Sequence, residues 1–351
     1  MILKISRTSS FIVAISISFW LYGCANFSYY SQAVNGQIEV LRKAQSINSI
    51  VADPSADKAL KNTLSKVISL RKFASRALKL PDNESYMTYA DLKRPYVVWN
   101  VYATPEFSTK LKEWCFVGAG CVEYRGFFSK EKAGHFADEL RNKGYDVHVA
   151  GIRAYSTLGW FDDPVLNTFI NFSEIQLARL IFHELSHQVV YVQDDTEFNE
   201  SFATMVELEG TRRWLKINGT SEQQDTFYAS QRGELAFTKL VLKYQKTLNK
   251  LFSSDVNDSE KRIYKLNIFA ELLREFSKLK ATNKALSSYD KWFELQMNNA
   301  LISTISTYTK HVPKFRSLLY QKGGDMEKFY SAVRDIGKLT KSDRYSSFQK
   351  R

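Results

Sequence analysis

Apolar residues recur at helical spacing between Phe27 and Leu80: Ile38, Leu41 and Ala44, then Leu60, Leu64, Val67, Ile68 and Leu70. This stretch predicts amphipathic helices. Pro81-Asp82-Asn83 closes it, since a proline and two turn formers stop a helix. The period then changes. Tyr96 to Tyr102 and the neighbourhood of Cys121 to Phe128 are rich in β-branched and aromatic residues, which predicts strands. A helix over 129–143 leads through Gly144 into another strand over 146–152. Residues 95–162 thus predict a small mixed or antiparallel sheet.

After Asp162-Asp163-Pro164 the pattern is helical to the end. Asn171 or Ser173 caps the first of these helices, with Glu174 or Gln176 at capping-box spacing, and its body runs to about Val192. A second helix begins near Asp194 or Asp195, carboxylates suited to a helix N-terminus. Further amphipathic helices are expected over roughly 220–250, 258–280, 284–308 and 325–338. The expected fold class is α+β and predominantly α-helical, with helices over 27–80, 171–215 and 220–340 and one domain over 24–351.

The first 23 residues stand apart. Lys4 and Arg7 precede an apolar run from Phe11 to Leu21, a secretion signal too short for a comfortable span of roughly 20 residues. Leu21-Tyr22-Gly23-Cys24 resembles the lipobox of bacterial lipoproteins, which implies lipidation at Cys24; an ordinary cleaved signal and an uncleaved anchor are the alternatives. Ala25 after the cysteine implies the outer membrane, facing the periplasm. Export to an oxidising compartment would let Cys115 and Cys121 close a disulfide. The charge of +12 falls to +10 without Lys4 and Arg7. A solvated helical surface or an attraction to anionic membrane accounts for it, and no nucleic-acid motif accompanies it, so no nucleic-acid partner is expected.

His183-Glu184-Leu185-Ser186-His187 lies inside a predicted helix. At 3.6 residues per turn the two histidines stack on one face, the spacing that two imidazoles need to chelate one ion. Glu184 beside them can reach a water at that ion and serve as general base. A third ligand is needed, and Glu200 supplies it if the next helix folds back antiparallel. Glu197, one turn earlier, competes for the place. Glu207 either orients a ligand histidine or is a solvated carboxylate. Three protein ligands with a fourth place open make a catalytic zinc site; a surface helix with solvated histidines, or a zinc site without catalysis, are the alternatives. His135, His148 and His311 read as ordinary polar side chains.

Tyr155 to Phe161 reads as extended. Ser156, Thr157, Leu158 and Gly159 would then pair with a substrate backbone, or pack in the core. Tyr155 could donate to the oxyanion of a tetrahedral intermediate, as could Tyr191 or Tyr308.

Taken together, Trp114-Cys115, Gly120-Cys121, Tyr124-Arg125-Gly126, Ala154 to Phe161, Asp163-Pro164, His183 to Gln188 and Phe198 to Ala203 resemble the bacterial putative aminopeptidase family of exported lipoproteins. Asn298 to Tyr308 and Val312-Pro313 extend the likeness, and the metal motif resembles gluzincins more broadly. The resemblance implies zinc, metallopeptidase activity and the ligands His183, His187 and Glu200. The G-x-M-E-N exopeptidase signature is absent, so no carboxylate for a substrate's free amine is assigned; Asp162, Asp163 and Glu197 are candidates by location. Thr204 stands four residues after the third ligand, where the thermolysin-like pattern has an acid. The expected function is a membrane-anchored zinc aminopeptidase acting on small peptides. An envelope endopeptidase and a non-catalytic lipoprotein that binds peptides or partners are the alternatives.

Overall fold

The computed structural model describes residues 29–116, 120–309 and 311–347, the side chains of 306–309 excepted. Cys24 and the expected signal lie outside the described residues. Helix α1 spans 29–43, followed by strand β1 (Ala44–Ser46), helix α2 (Ile47–Ala52), helix α3 (Lys58–Leu78) and strand β2 (Thr88–Ala90). The helical stretch expected over 27–80 is thus interrupted at β1, which pairs antiparallel with β2; a long-range pairing overrides the local pattern. α3 starts on the Asp57 carboxylate, which accepts from Leu60 N, and buries Leu64, Val67, Leu70, Ala74 and Leu78, a stripe at helical spacing.

Strands β3 (Val98–Pro105), β4 (Trp114–Phe116), β5 (Gly120–Val122), β6 (Arg125–Phe127) and β7 (Tyr145–Ile152) follow, with helix α4 (Lys130–Asn142) before the last. β3 is the centre of an antiparallel sheet ordered β6-β3-β7. It is buried along all but its final residue, because α4 and a later helix pack against it. β4 and β5 form a hairpin, and a disulfide joins Cys115 to Cys121. Strand β8 (Val165–Leu166) adds parallel to β2, making a mixed sheet β1-β2-β8.

The rest is helical: α5 (Glu174–His187), α6 (Thr196–Asn218), α7 (Ser221–Phe252), α8 (Asp258–Thr282), a 3-10 turn (Lys284–Tyr289), α9 (Asp290–Phe293), α10 (Asn299–Thr309), α11 (Val312–Gln321), α12 (Met326–Gly337) and α13 (Lys341–Ser347). The fold is α+β and predominantly helical. The single helix expected over 284–308 is broken after α9. There Asn298 donates to Val147 O at 3.1 Å while capping Leu301 N, and Asn299 N donates to Asp146 Oδ2 at 2.9 Å. The break docks α10 on β7. No described helix is long and apolar enough to cross a membrane.

α6 is the central element. Phe198, Phe202, Met205, Val206 and Leu215 are buried, but so are Asn199, Ser201, Thr204 and Glu207. A helix covered on nearly every side lacks a clear polar face, and its buried polar groups require partners.

Candidate metal centre

A capping box starts α5: the Ser173 side chain accepts from Gln176 N, and the Gln176 side chain accepts from Ser173 N. Leu177, Ala178, Ile181, Phe182 and Leu185 face the core. Arg179, His183 and His187 then share a neighbouring stripe at four-residue spacing. α5 ends at His187, short of the expected Val192: Gln188 N and Val189 N tighten onto Leu185 O and Ser186 O, and the Gln188 side chain is held by Asn83 Nδ2 (2.8 Å) and Ser85 Oγ (3.2 Å). The chain reverses over 188–195. Asn199 clamps that reversal, donating to Val192 O at 2.7 Å and accepting from Val192 N at 2.8 Å. Asp195 caps α6 through Phe198 N and is held by Arg344 and Tyr345. Asp194 Oδ1 accepts from Cys121 N at 2.6 Å, tying the β4–β5 hairpin to the same turn.

This clamped reversal brings Glu200 to the histidines. His183 Nε2 lies 3.2 Å from His187 Nε2 and 3.2 Å from Glu200 Oε2, and His187 Nε2 lies 3.8 Å from Glu200 Oε1. Zinc holds donors at about 2.0–2.1 Å in a tetrahedron, which sets neighbouring donors roughly 3.3 Å apart. The trio therefore fits one ion, and two imidazoles with a carboxylate are a donor set that zinc takes. His183 Nδ1 donates to Glu207 Oε2 at 2.8 Å, which leaves the Nε2 lone pair of the neutral ring facing the trio. Glu207 Oε1 is gripped in turn by Arg179, with Nη2 at 2.6 Å and Nε at 2.8 Å. Arg179 also reaches Glu234 Oε2 at 3.1 Å. Glu200 and Glu207, two turns apart, present one face of α6.

The charges follow from burial and from these contacts. Burial opposes a charged His183, but the hydrogen bonds and charges of Glu200 and Glu207 prevail and raise its pKa well above the ordinary value. Burial lowers His187 to about 4, leaving it neutral at pH 7, as a ligand must be. Burial raises Glu184 to about 7, with His183 opposing the rise and Glu200, Asp163 and Glu207 adding to it. Glu200 and Glu207 are pushed up by burial but brought below the ordinary carboxylate value by their cationic and imidazole partners.

His183, Glu184, His187 and Glu200 open onto a cleft of about 450 Å³. Tyr124, Tyr155, Tyr191, Ser156 and Leu158 line it as well. The segment expected to be extended is a turn: Leu158 and Gly159 adopt φ of 57° and 82°. Asp163 makes it so, because its buried carboxylate accepts from Thr157 N at 2.9 Å and Ser156 Oγ at 3.5 Å. Thr157 directs its hydroxyl to Phe161 O, and Gly159 packs beside Gln188. Tyr155 donates its hydroxyl to Gln37 of α1. Tyr124 keeps its proton at neutral pH, because burial and then the Glu200 charge raise its pKa.

Other candidates fall elsewhere. Glu197 Oε2 faces His311 Nε2 at 3.9 Å, outside the trio that could hold an ion. The Tyr308 side chain lies outside the described residues. His135 is exposed; His148 stacks on Tyr102, and burial lowers it to about 4. Among the described residues lining the cleft, the carboxylates are Glu184 and Glu200, so neither Asp162 nor Asp163 reaches it. Sequence reasoning missed Arg179, although it sits one turn before His183 on the same stripe. It also missed Tyr86, whose buried hydroxyl has no partner among the described residues and feels Glu184 as its strongest neighbouring charge.

Neither a curated protein nor a solved structure matches the chain. One family does, described as "Putative aminopeptidase", over residues 28–348; its description points to peptidase activity. With nearly the whole chain inside that match, the protein belongs to the putative aminopeptidase family.

Proposed function

We propose that the protein is a zinc-dependent aminopeptidase, with His183, His187 and Glu200 as ligands and Glu184 as general base. One observation carries this: two imidazole nitrogens and a carboxylate converge at the spacing of a single ion's donors, while Glu184 on the same helix stays outside the trio. The family's description supports the peptidase part. When bound, zinc supplies a Lewis acid that polarises a carbonyl and acidifies water.

The chain's own residues supply the rest. Glu184, buried beside the trio and open to the cleft, takes a proton from the attacking water and returns it to the departing amine, the work of a general base and acid. Glu207 holds the His183 ring with its Nε2 towards the trio. Tyr124 and Tyr191, on the cleft wall and influenced by the Glu200 charge, are hydroxyl donors available to a developing oxyanion. Tyr155 would join them on leaving Gln37.

One observation favours a second reading, an endopeptidase: among the described residues, no further carboxylate lines the cleft to bind a free amine. One peptide with a free and with an acetylated N-terminus separates the two, because equal cleavage of both excludes the aminopeptidase. Anchoring at Cys24 to the outer membrane belongs to the same proposal, and fatty-acid label that persists in Cys24→Ala would remove it. For the mechanism, Glu184→Gln should retain zinc and lose at least about a hundredfold in rate. A fully active Glu184→Gln protein would discard it.

A further inference from the structure

β6 is an edge strand of its sheet, and an edge exposes unpaired backbone groups to which an extended peptide can add. Here that edge is taken. Gln32 of α1 donates from Nε2 to Gly126 O at 3.4 Å, and its Oε1 accepts from Phe128 N at 3.0 Å. Bonding the carbonyl of one residue and the amide two residues on is what a single residue of an added parallel strand does. Five residues further along, Gln37 accepts the Tyr155 hydroxyl.

α1 is firmly seated. Tyr29 stacks on Phe116 at 5.3 Å, with the Arg125 guanidinium 4.2 Å from its ring centre. Gly36 sits so close to Phe128 that a Cβ there would lie 2.1 Å from the ring. Arg94 Nη1 donates to both carboxylate oxygens of Glu39, at 2.9 and 2.7 Å. A helix fixed along its length is a wall, not a loose cover.

The wall stands close to the metal centre. Tyr29, Tyr30 and Ala33 of α1 line the cleft together with Tyr124, Gly126, His183 and Glu200, and Gln32 takes Gly126 O, two residues on from Tyr124, or roughly 7 Å of extended chain. We infer that Gln32 and Gln37 set substrate length: Gln32 closes the β6 edge, Gln37 holds Tyr155 against α1, and together they restrict the cleft to short peptides, with room for about two residues beyond Tyr124 on the β6 side. The cleft of about 450 Å³ is of small-molecule size, within roughly 300–1,000 Å³. This rests on the peptidase proposal and adds to it the residues that limit substrate length.

Binding, not turnover, provides the test. Zinc-loaded Glu184→Gln protein is titrated calorimetrically with a tripeptide and with a decapeptide sharing its first three residues, and the ratio of the two Kd values is taken. The parent should prefer the tripeptide tenfold or more. Gln32→Ala with Gln37→Ala should shrink that preference at least fivefold. Gln32→Glu, which keeps the side chain's length but loses the donor to Gly126 O, should act in the same direction; circular dichroism checks that both variants fold. A decapeptide bound as tightly as the tripeptide by the parent overturns the inference. So does a preference unchanged in both variants, or a gain equal for the two peptides. Protein that binds neither peptide rejects the peptidase proposal itself, whereas binding without length preference rejects only the role of α1.

Discussion

Glu207 accepts the Nδ1 proton of His183 at 2.8 Å while its other oxygen is held by Arg179 at 2.6 Å. The ring is thereby fixed in one tautomer, and the guanidinium keeps Glu207 an acceptor. Partners of this kind typically change metal affinity ten- to a hundredfold. Glu207→Gln should therefore weaken zinc binding by about that factor, measured by competition with a chelator of known affinity. Unchanged affinity would show that the contact does not orient the ligand.

A pH dependence follows from Glu184 in the metal-free protein, where burial lifts it from 4.5 to about 7. Between those values the folded state binds more protons than the unfolded state, so this group's contribution weakens the fold as pH rises, and the loss is complete above 7. Asp163, raised by burial to about 6, acts in the same direction below it. His187, lowered by burial to about 4, acts oppositely, adding stability as pH climbs from 4 to its ordinary 6.5. His183, raised by its carboxylate neighbours against the pull of burial, contributes stability that fades above 6.5. Comparing Glu184→Gln with the parent isolates the Glu184 part. Metal-free Glu184→Gln should resist urea better at pH 8, by on the order of 1–3 kcal/mol, and the advantage should shrink towards pH 5. An advantage independent of pH would contradict the assignment.

Asp163 fixes the turn that forms one cleft wall, through Thr157 N and Ser156 Oγ. In Asp163→Ala the Thr157 amide loses its acceptor, at a cost of about 1–3 kcal/mol where the group stays buried. Hydrogen exchange at Thr157 should accelerate roughly tenfold or more, and KM should rise more than kcat falls. A protected Thr157 amide in the variant would show that other contacts hold the turn.

Much of the site was legible in the residues. The four-residue spacing of the histidines, the Ser173 cap with Gln176 three residues on, and Asp195 before α6 are all local signals, and each element formed where its signal stood. Glu207 could be named but not decided, because its role depends on Arg179, 28 residues away. The α1 contacts were illegible for a plainer reason: Gln32 meets Phe128 across 96 residues and Gln37 meets Tyr155 across 118, and a glutamine on an amphipathic helix carries no mark of its partner. The turn at 156–159 was misread as extended because the determining residue, Asp163, lies beyond it in the chain. β1 failed likewise, since Ala44 to Ser46 become a strand only by pairing with β2.

The proposed chemistry requires one ion held by His183, His187 and Glu200. X-ray absorption at the zinc edge, on purified protein whose metal content is measured in the same sample, tests it most directly. One zinc per chain is expected, with two imidazole nitrogens and a carboxylate oxygen at about 2.0–2.2 Å, and loss of that signal in His187→Ala. A chain that stays metal-free in excess zinc, or an unchanged signal in His187→Ala, would contradict it.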